Sequence, residues 1–233
     1  MTRGFIKIVL CMCFAQISFG QDFAVDMKKM NQAYGASELT IDFEVYLIAD
    51  ENNTSKKESL GLGKIRKTSD LYFSSFDGQH IYHNEDGVVL IDDKEKSVDY
   101  IKRSTKRPES KELTNDQINA MIAMSDTVYY VQTKNGVKHY RIFNESADIR
   151  IVDLYMNAKT FFIEKLVYTY KESTKEESFD AHQMEVIYTK NRTKCELKPS
   201  YFRTSNLLAK DANGKYYYKK NPKYTIHSNE LNN

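Results

Sequence analysis

Tryptophan is absent from this sequence, and only three prolines, nine glycines and three cysteines occur. Cys11 and Cys13 fall within an N-terminal apolar stretch that reads as a removable leader, so Cys195 is the one cysteine expected in the mature chain. No intramolecular disulfide can then form. A small filler role beside a strand is expected for Cys195, because the sequence places no histidine partner that would make it a reactive thiol. Beyond the leader there is no second long apolar run. An excess of charge is lacking too. Removing the leader takes Arg3 and Lys7 from the 34 Lys and Arg and leaves them balanced against 32 Asp and Glu, which argues against nucleic acid as a partner.

Recognisable reaction motifs are also missing. Gly61-Leu62-Gly63-Lys64 lacks the later glycine of a dinucleotide loop and the Lys-Ser/Thr ending of a P-loop. There is no G-x-S-x-G. His80 and His83 are three apart in an expected strand and point to opposite faces, so one metal ion cannot readily use both. Asp92-Asp93 reads as a solvated turn. No enzyme activity, metal or cofactor is therefore expected.

What is present begins with the leader. Arg3 and Lys7 form a basic start, residues 6–19 are apolar, and Ser18 and Gly20 are the small residues of a cleavage site. Cleavage after Gly20 makes Gln21 the mature start and residues 21–233 a single domain. Cys11 and Cys13 lack the small preceding residues that lipid attachment at a cysteine requires.

Phe23, Met27, Met30 and Tyr34 then recur at helical spacing, up to Gly35. Leu39, Ile41, Phe43, Val45 and Leu47 alternate with polar or aromatic neighbours, the pattern of a strand with one dry face. Residues 63–101 are a meander of short apolar runs broken at Asp77-Gly78, Asp86-Gly87 and Asp92-Asp93. Asp-Gly supplies the positive φ angles of tight hairpins. Thr114 and Gln117 form a capping box before Ile118, Met121 and Ile122, which predicts a second helix up to Ser125. Strands are expected again at Val128–Val131, Tyr140–Phe143, Ile149–Met156, Phe161–Tyr170 and Met184–Thr189. Asn135-Gly136 and Asn213-Gly214 mark further hairpins. The sum is a β-rich α+β chain of about ten strands. Two helices are meagre cover for so many, so the sheet must curl over them or close on itself, and either leaves an apolar interior.

This order of elements resembles the LolA family of periplasmic lipoprotein carriers. The matching pieces are Leu39–Leu47, Gly63-Lys64-Ile65, Leu71-Tyr72-Phe73 and Asp86-Gly87-Val88-Val89-Leu90, with the expected helix near Thr114–Ser125 in the family's order. The resemblance implies a curved antiparallel sheet, an incomplete β-barrel, wrapped over two or three helices. It implies an apolar cavity that takes up lipoprotein acyl chains or another lipid, with membrane-associated donor and acceptor proteins as partners and a monomeric, periplasmic carrier as the result. Met27, Met30, Leu39, Ile41, Phe43, Val45, Ile65, Phe73, Leu90, Met121 and Met124 are the candidate cavity lining, since flexible thioethers suit a surface that adapts to acyl chains. Family members commonly carry a basic residue followed by proline before the second meander strand; here Thr68-Ser69-Asp70 stands in that place. The alternative is an exported structural or interaction module with a filled core.

Overall fold

The computed structural model describes residues 23–49, 57–102, 125–171 and 182–228. The predicted leader and the Thr114–Ser125 helix up to residue 124, with its Met121 and Met124, lie outside the described residues. Helix α1 spans 23–34 and closes on a hydrogen bond from Gly35 N to the Asn31 carbonyl at 2.8 Å. Eleven strands follow: β1 Glu38–Ile48, β2 Glu58–Thr68, β3 Leu71–Phe76, β4 Gln79–His83, β5 Gly87–Asp92, β6 Ser97–Lys102, β7 Thr127–Lys134, β8 Val137–Phe143, β9 Ile149–Asn157, β10 Ile163–Tyr170 and β11 Gln183–Arg192. A 3-10 turn at Pro199–Phe202, the one-turn helix α2 at Thr204–Leu207, and strands β12 Leu208–Lys210, β13 Tyr216–Tyr218 and β14 Thr225–Ser228 complete the chain.

The hydrogen-bonded order is β14-β6-β5-β4-β3-β2-β1-β11-β10-β9-β8-β7, with β12 and β13 as a separate pair. The sheet is open, because β14 and β7 are its two edges. Strands joined by short turns pair antiparallel, as expected, whereas β14 pairs with β6 in parallel, Thr225 beside Ser97. Among the described residues α1 alone is longer than four residues, against the two or three helices predicted as filling, of which the Thr114–Ser125 helix lies outside the described residues up to residue 124.

The turns divide into two kinds. Asp77-Gly78 and Asn135-Gly136 have positive φ at both central residues, 50° and 83° in the first and 53° and 78° in the second, which is the twist a two-residue hairpin needs. Asp86-Gly87 does not work this way. Gly87 starts β5, and the turn before it is held by Asn84, whose Oδ1 accepts from the backbone N–H of Asp86 and Gly87. Asn213-Gly214 likewise sits in a longer loop, where Asp211 Oδ1 accepts from Asn213 N and Lys215 N.

The chain forms two compact units. The first contains Met1–Gly35, Tyr46–Glu58 and Lys111–Ile187; the second contains Ala36–Val45, Ser59–Ser110 and Tyr188–Asn233. In the first, Phe23 and Met27 of α1 pack on Tyr140, Leu154 and Met156. Asp26, also on α1 and 2% exposed, accepts hydrogen bonds from Lys138 Nζ and the Tyr140 hydroxyl, each at 2.6 Å. Tyr34 ends the helix. Its hydroxyl accepts from Ile163 N, and burial pushes the phenol up to about 12.

In the second unit the core is Phe73, Tyr82, Val89, Ile91, Val98 and Tyr100 from the meander, roofed by Phe202, Leu207, Leu208 and Tyr218. Among the described residues the roof is the C-terminal segment itself. Asn84 pins it: its side-chain amide donates to the Phe202 carbonyl at 2.6 Å and to Thr204 Oγ1 at 3.0 Å. Cys195 packs at the margin of this core and donates to the Leu197 carbonyl, the filler role expected of it.

Candidate functional site

Cross-strand partners point to the same face of a sheet, so the registers sort the meander's side chains. On one face, Arg66 pairs with Phe73, Phe73 with Tyr82, Tyr82 with Val89 and Val89 with Tyr100. This is the roofed face. On the other, Ile65 pairs with Ser74, Ser74 with Ile81, Ile81 with Leu90 and Leu90 with Asp99, while Tyr72, His83, Val88 and Ile101 form the adjacent row. Ile81 is 39% and Ile101 48% exposed, and Ile65, Tyr72, Val88 and Leu90 are half-buried. These apolar side chains, interspersed with Ser74, His83 and Asp99, make a sheet face that borders water.

Phe43 of β1 belongs to this second face. Its ring lies over Gly63, where an added Cβ would come within 2.0 Å of it, and between Phe76 at 6.1 Å and Tyr188 at 6.0 Å. Only glycine leaves room for the ring, which explains a glycine in the middle of β2. Leu39, Ile41 and Val45 alternate with the polar residues of β1 on the same side as Phe43 and are buried. The structure therefore brings Leu39, Ile41, Phe43, Val45, Ile65 and Leu90 to one face within the second unit. Phe73 is the exception among the predicted lining residues: its register with Arg66 places it on the opposite face, in the roofed core. Met27 and Met30 pack in the first unit, against the core beneath α1.

A cleft of about 530 Å³ opens on the roofed face, at the margin between strands and roof. Two strand rows line it, Lys64–Ser75–His80 and Arg66–Phe73–Tyr82; opposite them stand Leu197, Tyr201, Tyr218, Lys220, Asn221 and Tyr224. Asp93 is its one carboxylate, lying 2.9 Å from His80 Nε2 and accepting from the Tyr224 hydroxyl at 3.0 Å. Arg66, 7% exposed, donates to the Ile41 and Ile65 carbonyls and pairs with Asp42 at 2.6 Å. The Tyr82 hydroxyl donates to that of Tyr201 at 3.4 Å. Burial, then the Tyr201 hydrogen bond, raises the Tyr82 phenol far above its usual range; burial raises Tyr218, and desolvation with the Asp93 bond raises Tyr224. All three are neutral hydroxyls at ordinary pH and can donate hydrogen bonds. His83 faces away from His80 across the sheet, as the three-residue offset predicts.

The first unit has a charged ladder on the face away from α1. Arg141 pairs with Asp153, Asp153 with Val167, and Val167 with Glu185; His139 pairs with Tyr155, and Tyr155 with Lys165. Asp153 accepts from Arg141 Nε at 2.8 Å and lies 2.6 Å from His139 Nε2. The His139 ring stacks on Tyr155 at 4.2 Å. Glu185, its side chain 3% exposed, pairs with Lys57 and Lys165. These contacts hold four strands in register, and no nucleophile faces the His139–Asp153 pair among the contacts described. No group of three or more His, Cys, Asp or Glu able to hold a metal ion occurs among the described residues, and no helix there is long and apolar enough to cross a membrane.

No protein-family model and no curated protein matches this sequence. Solved structures do. An uncharacterized conserved protein from Thermus thermophilus matches over 87% of this chain and 96% of its own, at 8% identity and a TM-score of 0.47. A putative outer membrane lipoprotein-sorting protein domain from Vibrio parahaemolyticus matches over 78% and 96%, at 10% identity and 0.35. A LolA superfamily protein from Nitrosomonas europaea matches over 78% and 97%, at 10% identity and 0.32. At these likenesses the matches say nothing of what this chain binds.

Proposed function

We propose that this protein is an exported, non-enzymatic carrier or chaperone that holds lipoprotein acyl chains, or another lipid, and moves them through the cell envelope. In this reading the residues after the leader make one LolA-like half-barrel, which works as a periplasmic monomer between membrane-associated donor and acceptor proteins and has no dealings with nucleic acid. The observation that supports it is the apolar outer face of the meander, with Ile65, Ile81 and Leu90 in one row and Tyr72, Val88 and Ile101 in the next. Covering the part of one such side chain still open to water is worth about 1 kcal/mol or less, a fraction of the value for full burial. An acyl chain laid along the rows covers several at once without needing any directional contact.

Native mass spectrometry of the purified protein with lipid extraction tests the proposal, together with displacement of a hydrophobic dye by fatty acids and lipopeptides. Co-purified acyl species and dye displacement are expected. The double variant Ile81→Glu/Leu90→Glu should fold, since neither side chain is in a filled core, and should lose both. Wild type that carries no lipid and displaces no dye, or a variant that binds as well as wild type, overturns the reading. That outcome favours the second reading, an envelope interaction module. The observation behind this alternative is that Phe23 and Met27 in one unit, and Phe202 and Leu207 in the other, already fill a sheet face with the chain's own side chains.

A further inference from the structure

We infer that the cleft beneath the C-terminal roof is a second binding site, separate from the acyl face, for an acidic sugar: a hydroxylated ring bearing a carboxylate or a phosphate. Three features of its lining lead there. The first is charge. Lys64, Arg66 and Lys220 are its strong cations and Asp93 its one acid. The Arg66 charge is met by Asp42, and the Asp93 carboxylate is engaged by His80 and Tyr224. Lys64 and Lys220 have no ion-pair partner among the described residues, so two ammonium groups face a concave space without a counter-charge. An anion entering it gains charge-assisted hydrogen bonds at no cost in broken pairs.

The second feature is the aromatic wall. Phe73 and Tyr201 meet edge to face at 5.6 Å, Tyr82 and Tyr201 lie 5.9 Å apart, and Tyr218 and Tyr224 5.3 Å apart. Phe73, Tyr82 and Tyr218 are buried behind Tyr201 and Tyr224, which keep surface open to the cleft and can take the C–H face of a sugar, which is apolar although its rim is not. The third is the neutral hydrogen-bonding set. The hydroxyls of Ser75, Tyr201 and Tyr224 and the amide of Asn221 also line the cleft and can exchange hydrogen bonds with ring hydroxyls in either direction. An acyl chain would leave these groups and both lysines unsatisfied. The volume of about 530 Å³ falls inside the roughly 300–1,000 Å³ typical of small-ligand pockets. His80 and His83 divide between the two sites: His80 lines the cleft and His83 lies on the acyl face.

With no tryptophan among its 17 tyrosines, the protein reports ligand through tyrosine emission, and isothermal titration calorimetry gives the affinity. The probes are glucuronate, glucose 6-phosphate, inorganic phosphate and neutral glucose. Both acidic sugars are expected to bind, and glucose to bind at least about tenfold more weakly, as loss of a charge-assisted contact requires. Glucuronate against glucose 6-phosphate decides which anion the site takes. Lys64→Glu/Lys220→Glu should weaken the acidic sugars by more than about tenfold, while Lys215→Glu, an equal charge change on the exposed loop outside the cleft, should not. Tyr201→Ala should weaken the sugars and leave inorganic phosphate unchanged. Glucose binding as tightly as glucuronate, affinity untouched in the Lys64/Lys220 variant, or no binding of any acidic sugar overturns the proposal. Far-UV circular dichroism of wild type and all three variants is the folding control, and dye displacement from the acyl face keeps the two sites distinguishable.

Discussion

The two compact units solve one problem by different means. Each has a sheet face too apolar for water. The first covers it with a regular helix fixed by a buried charge, Asp26 against Lys138 and Tyr140. The second covers it with a segment that has almost no repeating structure, fixed by a neutral amide, Asn84. A helix satisfies its own backbone, so α1 needs few anchors beyond its apolar stripe. An irregular segment leaves carbonyls and N–H groups to be met one by one. Asn84 does this with both ends of its amide: Nδ2 serves the roof, and Oδ1 closes the turn between β4 and β5.

Breaking the charged anchor should cost most. Asp26→Leu removes the carboxylate to which the fully buried Tyr140 hydroxyl donates and leaves Lys138 without its ion-pair partner; about 3 kcal/mol should be lost in urea unfolding. Hydrogen exchange should show α1 released while Tyr82, Val89 and Val98 stay protected. Equal loss of protection in both units would mean that they do not unfold separately.

Removing the neutral anchor comes next. Asn84→Ala leaves the Phe202 carbonyl and the turn N–H groups without partners, an effect of about 2 kcal/mol. Exchange should accelerate in residues 199–208 before it does in α1. Because an amide does not titrate, the difference from wild type should be flat from pH 4 to pH 8; a slope there would point to a charged group in the roof.

The smallest effect sharpens the contrast through pH. Burial pushes the Glu185 carboxyl up, but the ammonium groups of Lys165 and Lys57 outweigh it and hold the group below its ordinary 4.5. A carboxyl depressed in the folded state contributes stability above its unfolded value and loses it as pH falls through the folded one. Both lysines are about a third exposed, so screening limits the contribution to about 1 kcal/mol. Glu185→Gln should therefore be less stable than wild type at pH 7, with the gap closing below pH 4.5. A gap that persists at pH 3 would assign the effect to packing.

Much of this architecture is visible in the residues. The spacing of Phe23, Met27, Met30 and Tyr34 gives α1, the alternation in Leu39–Leu47 gives β1, and Asp77-Gly78 and Asn135-Gly136 give their hairpins, because each signal is local. The roof is visible only at Asn213-Gly214, which marks the hairpin joining β12 to β13. β12, β13 and β14 have three or four residues each, too few for a period to emerge. The Thr225–Ser97 pairing joins residues 128 apart in sequence (225 less 97) and is parallel, so no turn announces it. The face of Phe73 is hidden for a related reason: Phe73 and Ser74 are both compatible with either side, and only the register with Arg66 decides. The cleft was hidden in the same way, since half of its lining comes from the roof. Asn84 did leave a trace, as an Asn two residues before Asp86-Gly87 is a turn-closing pattern.

The parallel pairing of β14 with β6 bears on biogenesis. β6 presents a bare edge until the last described strand has been made and delivered, so the meander is among the first parts to be synthesised and among the last to be sealed. Non-local closure of this kind slows folding, and through that interval Val98 and Tyr100 wait beside an unpaired strand. A chain truncated before Thr225 should consequently fail in the cell by clumping at that edge, even though every residue of the meander is intact.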